Sequence, residues 1–185
     1  MVNQELVASI RDAIEGMGSV LEQADGMTGA TKALGIPGTS MKRIVPSEVK
    51  YLFLYLTASD GVIDDAEVEF FNEVFGYSFT AQECKELIVK CGIYSNEFAN
   101  RLPLLFNIAL YSEEWMRART HTTGIDAPDL VETMINGYQI IGKQVMSADG
   151  SASLHEKVDL YDYINNIRKQ VSELRPVFRK KAQLS

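Results

Sequence analysis

The sequence predicts an all-α protein: a compact bundle of seven to eight helices containing two similar helix, Asp-Gly turn, helix units. Three observations predict it. Apolar residues recur at steps of three and four along most of the chain, the signature of amphipathic helices. No segment alternates apolar and polar residues between turn signals, as a half-buried strand would. Three capping-box patterns mark helix starts: Asp64-Asp65-Ala66-Glu67, Thr80-Ala81-Gln82-Glu83 and Ser153-Leu154-His155-Glu156.

The first helix carries Leu6, Ile10, Ile14, Met17, Leu21 and Ala24 on one stripe. Gly16 and Gly18 each weaken it by about 1 kcal/mol relative to Ala. After Asp25-Gly26 the chain turns small and Gly-rich, a linker with one helical turn near Ala30 to Leu34. Pro46-Ser47 reads as the next start, with Ser47 as N-cap and Glu48 in the first turn. Tyr51, Leu52, Leu54, Tyr55 and Leu56 leave that helix few polar positions, so it is expected to be central. Gly76 and Gly92 stand where the next two helices should end.

Pro103 interrupts an otherwise helical run over 95–117, which predicts a break near Asn100 and a fresh start before the proline. Asp126 is the expected cap of the following helix, with Pro128 in its first turn and Leu130, Met134, Tyr138, Ile141 and Val145 on its stripe. The last helix follows Ser153, carries Val158, Leu160, Tyr161, Ile164, Ile167 and Val171, and is limited by Pro176. These readings divide the chain into an N-terminal helix and linker (1–45), an autonomous helical domain (46–172) and a basic tail (173–185). The first helix is expected to pack on that domain or on a partner, since an isolated helix of this kind is marginal in water.

Composition excludes several classes. The 185 residues carry a formal charge of −7. A nucleic-acid binder needs a basic face, so that class is set aside. Two cysteines, Cys84 and Cys91, are too few for a disulfide framework and fit no zinc spacing; they read as buried reduced thiols on one helix. No basic, apolar leader opens the chain, and no apolar run approaches the ~20 residues that span a bilayer. The expectation is a soluble cytoplasmic protein. The last twelve residues hold four basic residues and no acid. They read as a solvated terminus or as a contact with an acidic partner or an anionic lipid surface.

The candidate site is the repeated turn. Asp60/Asp149, Gly61/Gly150, Asp64/Ser153 and Glu67/Glu156 correspond at a separation of 89 residues. One reading is structural: the glycines supply positive φ, and the cap and its glutamate close the next helix. The other is a divalent-cation site built from Asp60, Asp64, Asp65 and Glu67, with Asp149 and Glu156 in the second unit. An all-oxygen set suits Ca²⁺ or Mg²⁺ better than Zn²⁺. The first turn matches the second half of an EF-hand loop, with Gly61 at position six and Glu67 at twelve. Positions one and three would be Leu56 and Ala58, which cannot ligate, so it is not an EF-hand.

With ASDGVIDDAEVEFF in the first copy and SADGSASLHEKVDLY in the second, the chain resembles the TerB-like family of tellurite-resistance proteins over about 47–172. The resemblance implies a compact helical fold, a cytoplasmic or inner-membrane-proximal location and divalent-metal binding by the acidic turns. It also implies a role in tellurite and other stress resistance and in phage defence. His121 is placed in a polar loop, His155 near the start of the last helix, and Trp115 with Met116 at a packed helix end. No nucleophile-elbow, P-loop or dinucleotide fingerprint is present. The reading is therefore a non-enzymatic module with a protein partner. The alternative is a metal-free helical adaptor that docks through its first helix or basic tail to a protein or a membrane surface. A metal-dependent hydrolase is a third, weaker reading, since no residue set supplies its base.

Overall fold

The computed structural model describes residues 2–57, 59, 61–95, 98, 100–123, 127–148 and 154–184, with backbone alone at 121–123 and 154–156. It is all-helical. Among the described residues there are eight helices: α1 Gln4–Thr28, α2 Ala30–Ala33, α3 Met41–Thr57, α4 Asp65–Phe75, α5 Ala81–Cys91, α6 Leu104–Thr123, α7 Leu130–Val145 and α8 Leu154–Gln183. No strand occurs among them.

Local chemistry sets most of the ends. Asn3 Oδ1 accepts from the Glu5 amide at 3.0 Å and caps α1. Asp64 and Thr80 each form the expected capping box with a glutamate three residues on. Gly76 and Gly92 end α4 and α5 in the left-handed conformation, as expected. The break before α6 also falls where Pro103 predicts it.

α7 lies against α1, α3, α6 and α8. Its apolar stripe, Leu130 to Val145, is buried throughout as expected. Two glycines allow the close approach. A Cβ at Gly137 would lie 2.3 Å from Met17 Sδ, and one at Gly142 would lie 2.6 Å from Leu160 Cδ1. The α4–α5 pair packs on α1 and α3, where Phe53 meets Phe71 edge-on at 5.4 Å.

Several boundaries differ from expectation. α1 does not stop at Asp25-Gly26 but runs to Thr28, with Gly29 at φ +65° as its end. α3 begins at Met41 rather than at Pro46-Ser47. Its first amide donates to Glu22 Oε2 at 2.9 Å, and Met41, Ile44 and Val45 are buried. This packing offsets the backbone bond that Pro46 cannot make. The N-cap of α7 is Asp129, which accepts from the Glu132 amide at 3.4 Å; Asp126 lies outside the described residues. α6 continues to Thr123, so the backbone of His121 is helical rather than looped.

α8 passes through Pro176 to Gln183. Phe178 and Ala182 are buried, and Arg175 and Arg179 pair with α6. Its buried stripe is Leu160, Tyr163, Ile164, Ile167 and Val171, whereas Val158 and Tyr161 are 48% and 68% exposed. α1 packs on α3, α6 and α7, so it rests on the bundle rather than standing free. One continuous apolar core includes Ile10 and Leu21 from α1 and Ala182 from α8. No helix among the described residues is long and apolar enough to cross a membrane.

Candidate functional site

The first Asp-Gly turn joins α3 to α4. Gly61 has φ +81°, in the region that favours glycine, and Ile63 is buried as the anchor of the segment. Asp64 Oδ1 accepts from the Glu67 amide at 2.8 Å, and Glu67 Oε2 accepts from the Asp64 amide at 2.9 Å. One oxygen of each carboxylate is thereby committed to the helix start. Asp65 is exposed on the first turn of α4, and Glu69 and Glu73 follow it at helical spacing, also exposed. Asp60, Asp149 and the side chain of Glu156 lie outside the described residues, as does the Gly150 turn.

Two buried hydroxyls beside this turn have no hydrogen-bond partner among the described residues. They are Thr57 Oγ1, on a residue 4% exposed, and Ser59 Oγ. They stand three residues and one residue before Asp60 in the chain. Buried polar atoms are normally satisfied by protein or by ordered ligands, so the pair marks a place where oxygen donors are available. Among the described residues no group of three His, Cys, Asp or Glu side chains converges as a metal cage would.

Several acidic side chains have a different task, which the sequence reading did not assign. Four helix starts are held by carboxylates from other helices. Glu22 accepts from the Met41 amide; Asp25 accepts from the Thr31 amide at 2.6 Å; Glu48 accepts from the Leu104 amide at 3.1 Å; Glu113 accepts from the Val131 amide at 3.2 Å. Each meets the partial positive charge of a helix N-terminus. Burial raises the Glu48 carboxyl above its usual range, although the Arg101 guanidinium at 2.7 Å and the Leu104 amide act against the rise.

Glu113 and Glu114 form the deepest charged cluster, at 0% and 1% exposure. Arg175 Nη1 lies 2.6 Å from a carboxylate oxygen of each. Arg117 adds 2.5 Å to Glu113, and Arg179 Nε adds 3.0 Å to Glu114. Burial alone would raise the Glu114 carboxyl, but hydrogen bonds from Arg179 and Arg175 outweigh it and lower the pKa. Arg175 and Arg179 of the C-terminal segment thus find an acidic partner inside the same chain. The available signal was the pair Glu113-Glu114 inside the long apolar helix, matched by arginines at 175 and 179.

Cys84 is buried and Cys91 half-buried on α5, both as free thiols. Burial, with the Glu83 charge beside it, raises the Cys84 thiol and makes it less reactive. Trp115 packs against the core under the Arg119 guanidinium, 3.8 Å from its ring centroid. No family model, no curated protein and no solved structure matches the chain.

Proposed function

We propose that this chain is a non-enzymatic, TerB-like acidic helical protein that binds a divalent cation at its first Asp-Gly turn. On this reading it acts through a protein partner in bacterial stress resistance, of the tellurite type, or in phage defence. The observation that supports the reading is the pair of buried hydroxyls of Thr57 and Ser59, without a partner among the described residues, next to Asp60-Gly61 in the chain. Asp60, Asp64, Asp65 and Glu67 follow within eight residues. The donors are all oxygen, which suits Ca²⁺ or Mg²⁺ and not the nitrogen and sulfur preference of Zn²⁺. The residues that would hold the ion are Asp60, Asp64, Asp65 and Glu67. The second unit offers only Asp149, Ser151, Ser153 and Glu156, and is proposed as the weaker site.

Calorimetric titration of the full chain with Ca²⁺, Mg²⁺ and Zn²⁺ tests this. Saturable heat with Ca²⁺ or Mg²⁺ is expected. Absence of heat with all three would leave the metal-free adaptor as the reading.

A further inference from the structure

We propose that Glu48 is an acid-sensitive clasp: as the pH falls, its protonation releases Arg101 while the bundle stays folded. Glu48 stands in the middle of α3, buried at 7% exposure, and both of its carboxylate oxygens are in use. Oε1 accepts from the Leu104 amide at 3.1 Å, and Oε2 accepts from Arg101 Nη2 at 2.7 Å. One buried carboxylate therefore holds both the start of α6 and the side chain of the residue three positions before it.

The two partners differ in what they can do without it. The Leu104 amide belongs to the first turn of α6, where a helix offers no acceptor of its own, and its place is fixed by the backbone. The Arg101 side chain is 49% exposed and can reach water. It lies over the rings of Tyr51 and Phe98, 5.7 and 6.0 Å from their centroids.

Proton chemistry decides which bond survives. An ionised carboxylate is acceptor-only, with two oxygens; a protonated one turns one oxygen into a donor. Arginine has donors alone. A protonated oxygen facing Nη2 sets donor against donor and removes the charge that strengthened the bond. The remaining acceptor stays on the Leu104 amide, and Arg101 turns to solvent.

The surroundings of Glu48 allow this step inside the folded protein. Besides Arg101, its charge acts on Tyr138 of α7 and Tyr163 of α8. Burial raises both phenols, so they stay neutral and Arg101 is the charge opposite Glu48 among the described residues. α1, α4 and α5 also pack on α3, but none of their described charged groups is among those acting on Glu48. Burial raises the Glu48 carboxyl against the pull of Arg101 and the Leu104 amide. A carboxyl raised by folding binds its proton more tightly in the folded state, so its protonation adds stability as the pH falls. The response is thus a change in one side chain's position and not acid unfolding. No acid of the first Asp-Gly turn takes part, and the inference is independent of the cation.

The test uses the full chain with carbon-13 in its glutamate carboxyls, followed by nuclear magnetic resonance without metal as the pH is lowered from 7. The Glu48 carboxyl should titrate above the ordinary glutamate value of about 4.3. The Arg101 side-chain signals should move with the same midpoint, while the Leu104 amide stays protected from exchange and the near-ultraviolet dichroism stays native. Glu48→Gln imitates the protonated form. At pH 7 it should already show the released Arg101 signals, with no step as the pH falls. Arg101→Gln should shift the Glu48 midpoint further up, because the cation that favours the charged form is gone. Arg101 signals that stay in place through the Glu48 titration would overturn the proposal. So would loss of native dichroism at that midpoint, or an Arg101→Gln midpoint equal to wild type.

Discussion

The carboxylate of Glu48, in the middle of α3, closes the first turn of α6 by accepting from the Leu104 amide at 3.1 Å. The same pattern recurs at Glu22 with Met41, Asp25 with Thr31, and Glu113 with Val131. Helix starts in this bundle are set by the packing of one helix on another as much as by local caps.

The exchange Glu48→Gln keeps an acceptor for Leu104 and removes a buried charge. It should change stability by less than about 1 kcal/mol. Glu48→Leu leaves the Leu104 amide and Arg101 without their partner and should cost about 1–3 kcal/mol. Chemical denaturation of both variants checks the contrast. Equal losses would show that the charge, not the cap, matters.

Arg175 bridges two buried carboxylates. Arg175→Ala should cost about 1–3 kcal/mol at pH 7, because it removes a charge-assisted bond from each of two buried carboxylates and leaves them to Arg117 and Arg179 alone. The pH profile should also flatten. In the wild type the Glu114 pKa is lowered, so its contribution is present above the unfolded glutamate value of about 4.3 and is lost as pH falls below it. Glu48, with its raised pKa, acts in the opposite direction at somewhat higher pH. In Arg175→Ala one of the bonds that hold the Glu114 pKa down is gone, so the variant should lose less stability than wild type as the pH is lowered from 7. Melting temperatures measured across this range decide the matter.

Two glycines on different surfaces should respond oppositely to alanine. Gly137→Ala sets a Cβ against the Met17 thioether, whose buried chain must move within the core, and the overpacking of about 1–3 kcal/mol should exceed the helix-propensity gain of about 1 kcal/mol. Gly16 lies exposed on α1 with nothing within 4 Å of its would-be Cβ. Gly16→Ala should gain about 0.5–1 kcal/mol from helix propensity. Denaturant midpoints of the two variants should move in opposite directions.

What could be read from the sequence was local. The stripe Leu130 to Val145, the boxes at Asp64 and Thr80, and the glycine ends at 76 and 92 depend on residues within a turn or two of each other. What could not be read depends on partners far along the chain. Pro46 and Pro176 looked like boundaries because a proline normally costs a helix about 3 kcal/mol. Glu22 and the buried Met41 carry α3 past one; Glu114 and the buried Phe178 carry α8 past the other. At the candidate site the sequence identified the Asp64–Glu67 pair, whose box geometry is present. It gave no sign that the hydroxyls of Thr57 and Ser59 would be buried without partners among the described residues, since this depends on how α3 packs.

The packing also bears on the N-terminal segment. Deleting residues 1–40 removes Met17 from Gly137, Glu22 from Met41 and the cover of α7. The truncated chain should lose cooperative unfolding, seen as a broad melt without near-ultraviolet dichroism. A sharp transition would show that residues 46–172 fold alone.

The central claim is that the first Asp-Gly turn binds a divalent cation as well as capping α4. Glu67→Gln separates the two roles, because glutamine can still accept from the Asp64 amide at the position where Glu67 Oε2 now lies 2.9 Å away. The measurement is the thermal melt of wild type and Glu67→Gln, each with and without millimolar Ca²⁺ or Mg²⁺. A ligand at about 100 times its Kd stabilises the folded state by about 2.7 kcal/mol. The wild-type midpoint should therefore rise by several degrees, while Glu67→Gln should match wild type without metal and fail to rise with it. An unchanged wild-type midpoint, or an equal rise in both proteins, would contradict the claim.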